Sequence, residues 1–80
     1  MGVTDIYSSL DLVVHGLAAI GLGDWSLRLR EAVRAGSTSG EILMAVRWIL
    51  KELKKEGPEL PGDLDHTIDR VLVEIDRTGI

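Results

Sequence analysis

Three groups of side chains in this sequence combine chemically capable types at short spacing. Ser8, Asp11 and His15 follow one another at i, i+3 and i+7, so a helix would carry a hydroxyl, a carboxylate and an imidazole along one face. These are the member types of a hydrolytic triad. A triad also needs a sheltered nucleophile, a partner that orients the base, and donors aimed at an oxyanion. The face carrying these three residues points away from the neighbouring apolar stripe and toward water, so they read as a solvated polar face and no catalytic residue is assigned.

Asp65, His66 and Asp69 form the second group, with two carboxylates at i, i+4 and an imidazole beside them. No second His or Glu motif is placed to close a coordination shell, and Asp65 already suits the start of a helix, where an acid complements the dipole. No metal is expected. The nine glycines are the third group. They stand singly at turns and helix ends, and none of their spacings matches GxGxxG or GxxxxGK[ST], the loops that cradle phosphates. The sequence therefore implies no cofactor and no small-molecule substrate. An enzymatic reading would need a pocket that so short a chain has few residues to build, and a sheltered Asp11/His15 pair would be its sign.

Composition narrows the field further. The 80 residues carry a net charge of −4 and no cysteine. A domain this small buries only somewhat more than ~60% of the surface its unfolded chain exposes, so the core is thin and no disulfide or thiolate site supplements it. The charge is unevenly placed. Residues 1–27 hold three acids and no Lys or Arg, residues 28–55 hold seven bases against three acids, and residues 56–80 hold seven acids against two bases. An acidic chain of this kind is poorly suited to neutralising phosphates, which argues against a nucleic-acid partner. The basic middle and the acidic end are expected to attract each other within the fold.

The N-terminal residues show no basic region ahead of a long apolar stretch, and Ile6 stands where a myristoylation motif requires Ser or Thr. The most apolar run, Leu12 to Leu22, is broken by His15 and falls short of the ~20 residues of a spanning helix. The expectation is a soluble, cytoplasmic protein without a membrane partner.

The elements that must position these side chains are helices. Thr4 and Asp5 supply a cap and a first-turn acid, and Ile6, Leu10, Val13, Val14 and Leu17 then fall at helical spacing until Gly21 and Gly23. Asp24 is read as the cap of a short second helix in which Trp25, Leu29, Ala32 and Val33 share a face and Gly36 supplies the stop. Trp25 is expected to anchor the core at that corner. Thr38 and Glu41 form a capping box for the third helix, whose stripe of Ile42, Val46, Ile49, Leu50 and Leu53 runs to a stop at Gly57-Pro58. Pro61 suits the first turn of the fourth, with Asp63 and Asp65 on its dipole and Leu64, Ile68, Val71, Leu72 and Ile75 repeating the third helix's pattern. No segment alternates as a strand does. The predicted fold is all-α, three or four short helices in a single orthogonal or bundle-like domain over residues 1–80, ending in an antiparallel helical hairpin.

Met44 and Trp48 do not fit this scheme. On a helical wheel they lie opposite Val46 and Leu50, among Arg47, Lys51 and Lys55. Either the first or second helix covers them, or they are left for a partner. Trp, Met and Arg are enriched in protein interfaces and hot spots, so Met44, Arg47, Trp48, Lys51 and Lys55 form the candidate partner-binding set. Asp65, Asp69 and Asp76, on one side of the fourth helix, form a second acidic surface for a basic partner. Leu12 and Leu27 also lie off their helices' main stripes.

The run Gly23-Asp24-Trp25, then Gly36-Ser37-Thr38, then Glu41 through Trp48, resembles a pattern in small uncharacterised bacterial helical proteins. The resemblance covers about a third of the chain. It implies a bacterial or phage setting and no assigned activity, so no residue role is carried over from it. The functional expectation is a non-enzymatic protein-binding module, an adaptor, immunity-type or inhibitor protein, that docks another protein through the Met44/Trp48 side. A structural homodimer using the same patch is the alternative.

Overall fold

A computed structural model describes residues 3–78, with the side chains of residues 3–5 outside that description. The chain forms four helices: α1 (Val3–Ala19), α2 (Gly23–Ala35), α3 (Ser39–Glu56) and α4 (Gly62–Arg77). No strand occurs among the described residues. Both α1 and α3 pack against α2 and α4, and they face each other across the interior. The result is an all-α bundle whose Cα radius of gyration, 11.5 Å, is what a single compact body of this length requires.

One stripe from each helix fills the interior. Ile6, Leu10, Val13, Val14 and Leu17 come from α1, Leu29 from α2, Val46, Ile49, Leu50 and Leu53 from α3, and Ile68, Val71 and Ile75 from α4, all of them buried. Leu43, which the spacing reading passed over, is also buried, whereas Ile42 is half-buried. The α3 stripe is thus Leu43, Val46, Leu50 and Leu53, spaced i, i+3, i+7 and i+10, with Ile49 beside it. Leu64 and Leu72 sit at the rim of the core rather than inside it.

The helix ends show which local signals operate. Thr38 caps α3 by accepting from the Glu41 backbone N–H at 3.1 Å. The Glu41 carboxylate reaches back one residue further than a capping box usually does, accepting from the Ser37 N–H at 2.9 Å. Gly57 ends α3 because of space, since a Cβ there would lie 2.5 Å from the Leu53 carbonyl oxygen. Gly21 has a φ of 87°, which a residue with a side chain adopts only under strain, and it turns the chain between α1 and α2. Gly16 lets α4 approach α1, because a Cβ would press on Leu64 at 3.0 Å.

Two caps differ from expectation. The N-cap of α2 is Leu22 without a side-chain cap, and Asp24 stands inside the first turn, where its charge meets the helix dipole instead of bonding an N–H. Pro61 is the N-cap of α4 rather than its first helical residue, so its fixed φ sets the entry of the chain. The cap read at Thr4 and Asp5 concerns side chains outside the described set. The hairpin of α3 and α4 is antiparallel, as expected: Lys54 near the end of α3 meets Asp65 and Asp69 near the start of α4, and Arg47 meets Asp76 at the other end.

Urea denaturation checks this account of the α3 ends. Thr38→Ala is expected to lower stability by about 1 kcal/mol. Gly57→Ala should cost roughly 1–3 kcal/mol, since the added methyl must push the Leu53 carbonyl aside. A Gly57→Ala protein as stable as the parent would show that Gly57 is not required there.

Candidate functional site

The four sides of α3 are occupied differently. Its inner side is core. On the side toward α4, Arg47 Nε donates to Asp76 Oδ1 at 2.9 Å, and Lys54 Nζ lies 2.9 Å from Asp65 Oδ1 and 2.6 Å from Asp69 Oδ1. On the side toward α2, the Glu52 carboxylate accepts from Arg28 at 3.2 Å. The same Arg28 guanidinium stacks over the Trp25 ring, 4.5 Å from its centroid. Trp25 is packed against the core but only half-buried, so it anchors that corner from the rim.

The fourth side faces water. Met44 is 50% exposed and Trp48 60% exposed, and Lys51 and Lys55 are exposed beside them. Neither α1 nor α2 covers this face, because α1 lies across the interior and α2 meets α3 along the Glu52 flank. Met44, Trp48, Lys51 and Lys55 therefore form one seam at i, i+4, i+7 and i+11, about 16 Å long at 1.5 Å per residue. Neither lysine has a carboxylate within ion-pair distance among the described residues. Arg47, grouped with them from the sequence, points along the α4 flank and is held by Asp76.

A groove of about 420 Å³ runs beside Trp48 between α2 and α3. Its floor is Ala32, Ala45 and Ile49, and its walls are Arg28, Glu31 and Trp48. The two alanines were not legible as site residues. Their small size opens the groove only because α2 and α3 bring them to the same seam, and the sequence signal for that is weak.

The other candidate groups fall out differently. Asp65, Asp69 and Asp76 lie on one side of α4, as expected, but that side faces α3, and each carboxylate meets a cation there. The interaction expected between the basic middle and the acidic end is this ladder. Asp65 and Asp69 do converge, with the Lys54 ammonium between them, while His66 stands exposed on the outer side. Among the described residues, no group of three or more His, Asp or Glu gathers as metal ligands. His15 Nδ1 lies 3.0 Å from the Asp11 carbonyl oxygen and 3.4 Å from its carboxylate, with both side chains about 70% exposed. Ser8 is exposed as well, so the pair has no shelter. Among the described residues, no helix is long and apolar enough to cross a membrane.

Comparison of the chain with protein-family models, curated proteins and solved structures gave no match.

The hydrogen bond from Lys54 to Asp65, then that to Asp69, raises the Lys54 pKa above its ordinary 10.5. A raised folded-state pKa means that this contribution to stability is complete below pH 10.5 and fades as pH climbs through the folded value. Lys54→Met should therefore be less stable than the parent by up to about 1 kcal/mol at neutral pH, with the gap closing in the strongly alkaline range. Urea midpoints measured against pH check this; a gap that stays constant through the alkaline limb would contradict it.

Proposed function

We propose that this protein is a non-enzymatic protein-binding module, of the adaptor, immunity or inhibitor kind, that docks a partner through the outer face of α3. The observation that carries the proposal is the exposure of Trp48, 60%, at the middle of that face beside an exposed Met44. An indole offers ~150–250 Å² for burial, so about 90–150 Å² of it remains in water here. At ~25 cal/mol per Å², covering that area would stabilise a complex by about 2–4 kcal/mol. Scattered single apolar residues on a surface need no explanation, but a Trp and a Met one helical turn apart, with basic neighbours, match the composition of interface centres.

The ion pairs on both flanks of α3 support the reading in a second way. They fix the helix against α2 and α4, so the face is presented on a rigid element rather than on a loop, and little ordering entropy is lost on docking. The exposed Asp11/His15 pair lends no support to hydrolysis. The resemblance to small bacterial helical proteins and the lack of cysteine favour a bacterial cytoplasmic setting. A homodimer through the same patch is the competing use of the same surface.

Affinity capture from the native host with the parent protein and with Trp48→Ala tests the proposal. Trp48→Ala is expected to weaken partner binding by at least ~2 kcal/mol with the thermal midpoint unchanged. Loss of folding in Trp48→Ala would reassign the indole to the core. A melting temperature that rises with protein concentration, with no other protein captured, would favour self-association.

A further inference from the structure

We infer that the occupant of the α3 face is an acidic amphipathic helix from a different protein, an inference that rests on the docking reading above and specifies its partner. Four observations on the seam lead there. Met44, Trp48, Lys51 and Lys55 are spaced 4, 3 and 4 residues apart, the spacing at which a second helix can lie along the first and meet every position. Beside the seam, a shallow, open α2/α3 groove lined by Ala32, Ala45 and Ile49 and flanked by the Trp48 ring offers small apolar side chains against which an apolar side chain of that second helix can rest. This is the helix-in-groove mode of recognition.

Charge then decides what kind of helix. Of the cations on α3, Arg47 is held by Asp76 and Lys54 by Asp65 and Asp69. Lys51 and Lys55 alone are left with their ammonium groups free among the described residues, and both stand in the seam. Carboxylates one helical turn apart on a docked helix would meet them, while its apolar side chains cover Met44 and Trp48 and rest against the groove.

A second copy of this chain fits poorly. The 4-3-4 spacing is palindromic, so two α3 helices paired antiparallel about a two-fold axis would set Met44 against Lys55 and Trp48 against Lys51 of the other copy. Such a seam gathers four ammonium groups against, among the described residues, one unpaired flanking carboxylate per copy, Glu56, since Glu52 is bonded to Arg28 and Glu41 to the Ser37 N–H. Nor does another face of the chain present an uninterrupted acidic strip. On α4, Asp65, Asp69 and Asp76 are turned to α3 and Glu74 is paired with Arg77 near Arg70, while on α2 the exposed Asp24 and Glu31 stand among Arg28, Arg30 and Arg34.

A display library of randomised 14–18-residue helical peptides, about the length of the seam with a turn to spare at each end, selected against the full protein, tests both levels. The expected result is enrichment of peptides that combine Leu, Ile or Phe at helical spacing with a surplus of Asp and Glu. Their affinity should fall at least tenfold on Trp48→Ala, at least tenfold on the doubly substituted Lys51→Glu, Lys55→Glu protein, and steeply with added salt. All substituted positions are exposed, and unchanged thermal midpoints confirm that the variants are folded. Enriched peptides that need Trp48 but are neutral or basic, or that ignore the lysine substitutions, would overturn the acidic-helix inference while leaving the docking face standing. Peptides indifferent to Trp48→Ala, or no enrichment at all, would overturn both.

Discussion

A single interior shared by four short helices is the constraint from which everything else in this molecule follows. Each helix buries one apolar stripe, and each touches two neighbours, so each keeps a side that no other helix packs against among the described residues. On α1 that side carries Ser8, with Asp11 and His15, themselves exposed, at the edge of the α1/α2 groove beside Arg30 and Arg34; on α4 it carries His66, Arg70 and Arg77. Leu12, Leu27 and Val73 are exposed one to a helix among such polar neighbours, which water tolerates. Among the described residues, only on α3 do two large apolar side chains share the uncovered side one turn apart. The thin core cannot recruit them, because the ring of contacts is already closed.

The charges follow the same geometry. The basic middle of the chain and its acidic end neutralise each other along the α3/α4 seam, through Arg47 with Asp76 and Lys54 with Asp65 and Asp69, and Arg28 reaches Glu52 across the other seam. These pairs are half-exposed and individually contribute little; burial of Leu43, Val46, Ile49, Leu50 and Leu53 sets the rotation of α3 about its own axis, and the pairs form on the flanks that this rotation presents. That rotation is what turns Met44 and Trp48 outward. It also separates the cations of α3 into those with a carboxylate partner and the two, Lys51 and Lys55, without one among the described residues. Side chains that hold the fold and side chains left to solvent are thus divided on this helix by angle rather than by position along it.

Most of the architecture was legible because helical spacing is a local property. The stripes of α1, α3 and α4, the Thr38/Glu41 cap, the stop at Gly57 and the hairpin that follows could all be read from residues within a few turns of each other. Features that depend on how helices rotate against one another could not. Leu43 is not among them: it stands three residues before Val46 and seven before Leu50, on the stripe itself, so its burial follows from spacing. Arg47 and Lys51 are both one helical turn or less from Trp48, yet one is spent on Asp76 and the other is free. The cap of α2 differs from the sequence expectation because Asp24 is an excellent capping type, while the geometry at Leu22 starts the helix two residues earlier than an Asp24 cap would. The exposure of Trp48 was an expectation with a live alternative, coverage by α1 or α2, and the placement of those helices removes it.

The central claim is that the indole of Trp48 is left in water after the monomer's own interior is full. A single-tryptophan protein, Trp25→Phe, allows it to be measured by fluorescence and acrylamide quenching at dilutions where sedimentation shows a monomer. The account predicts emission and a quenching constant close to those of free tryptophan. A shielded, blue-shifted indole in the monomer would contradict it, and would mean that the chain covers its own Trp48.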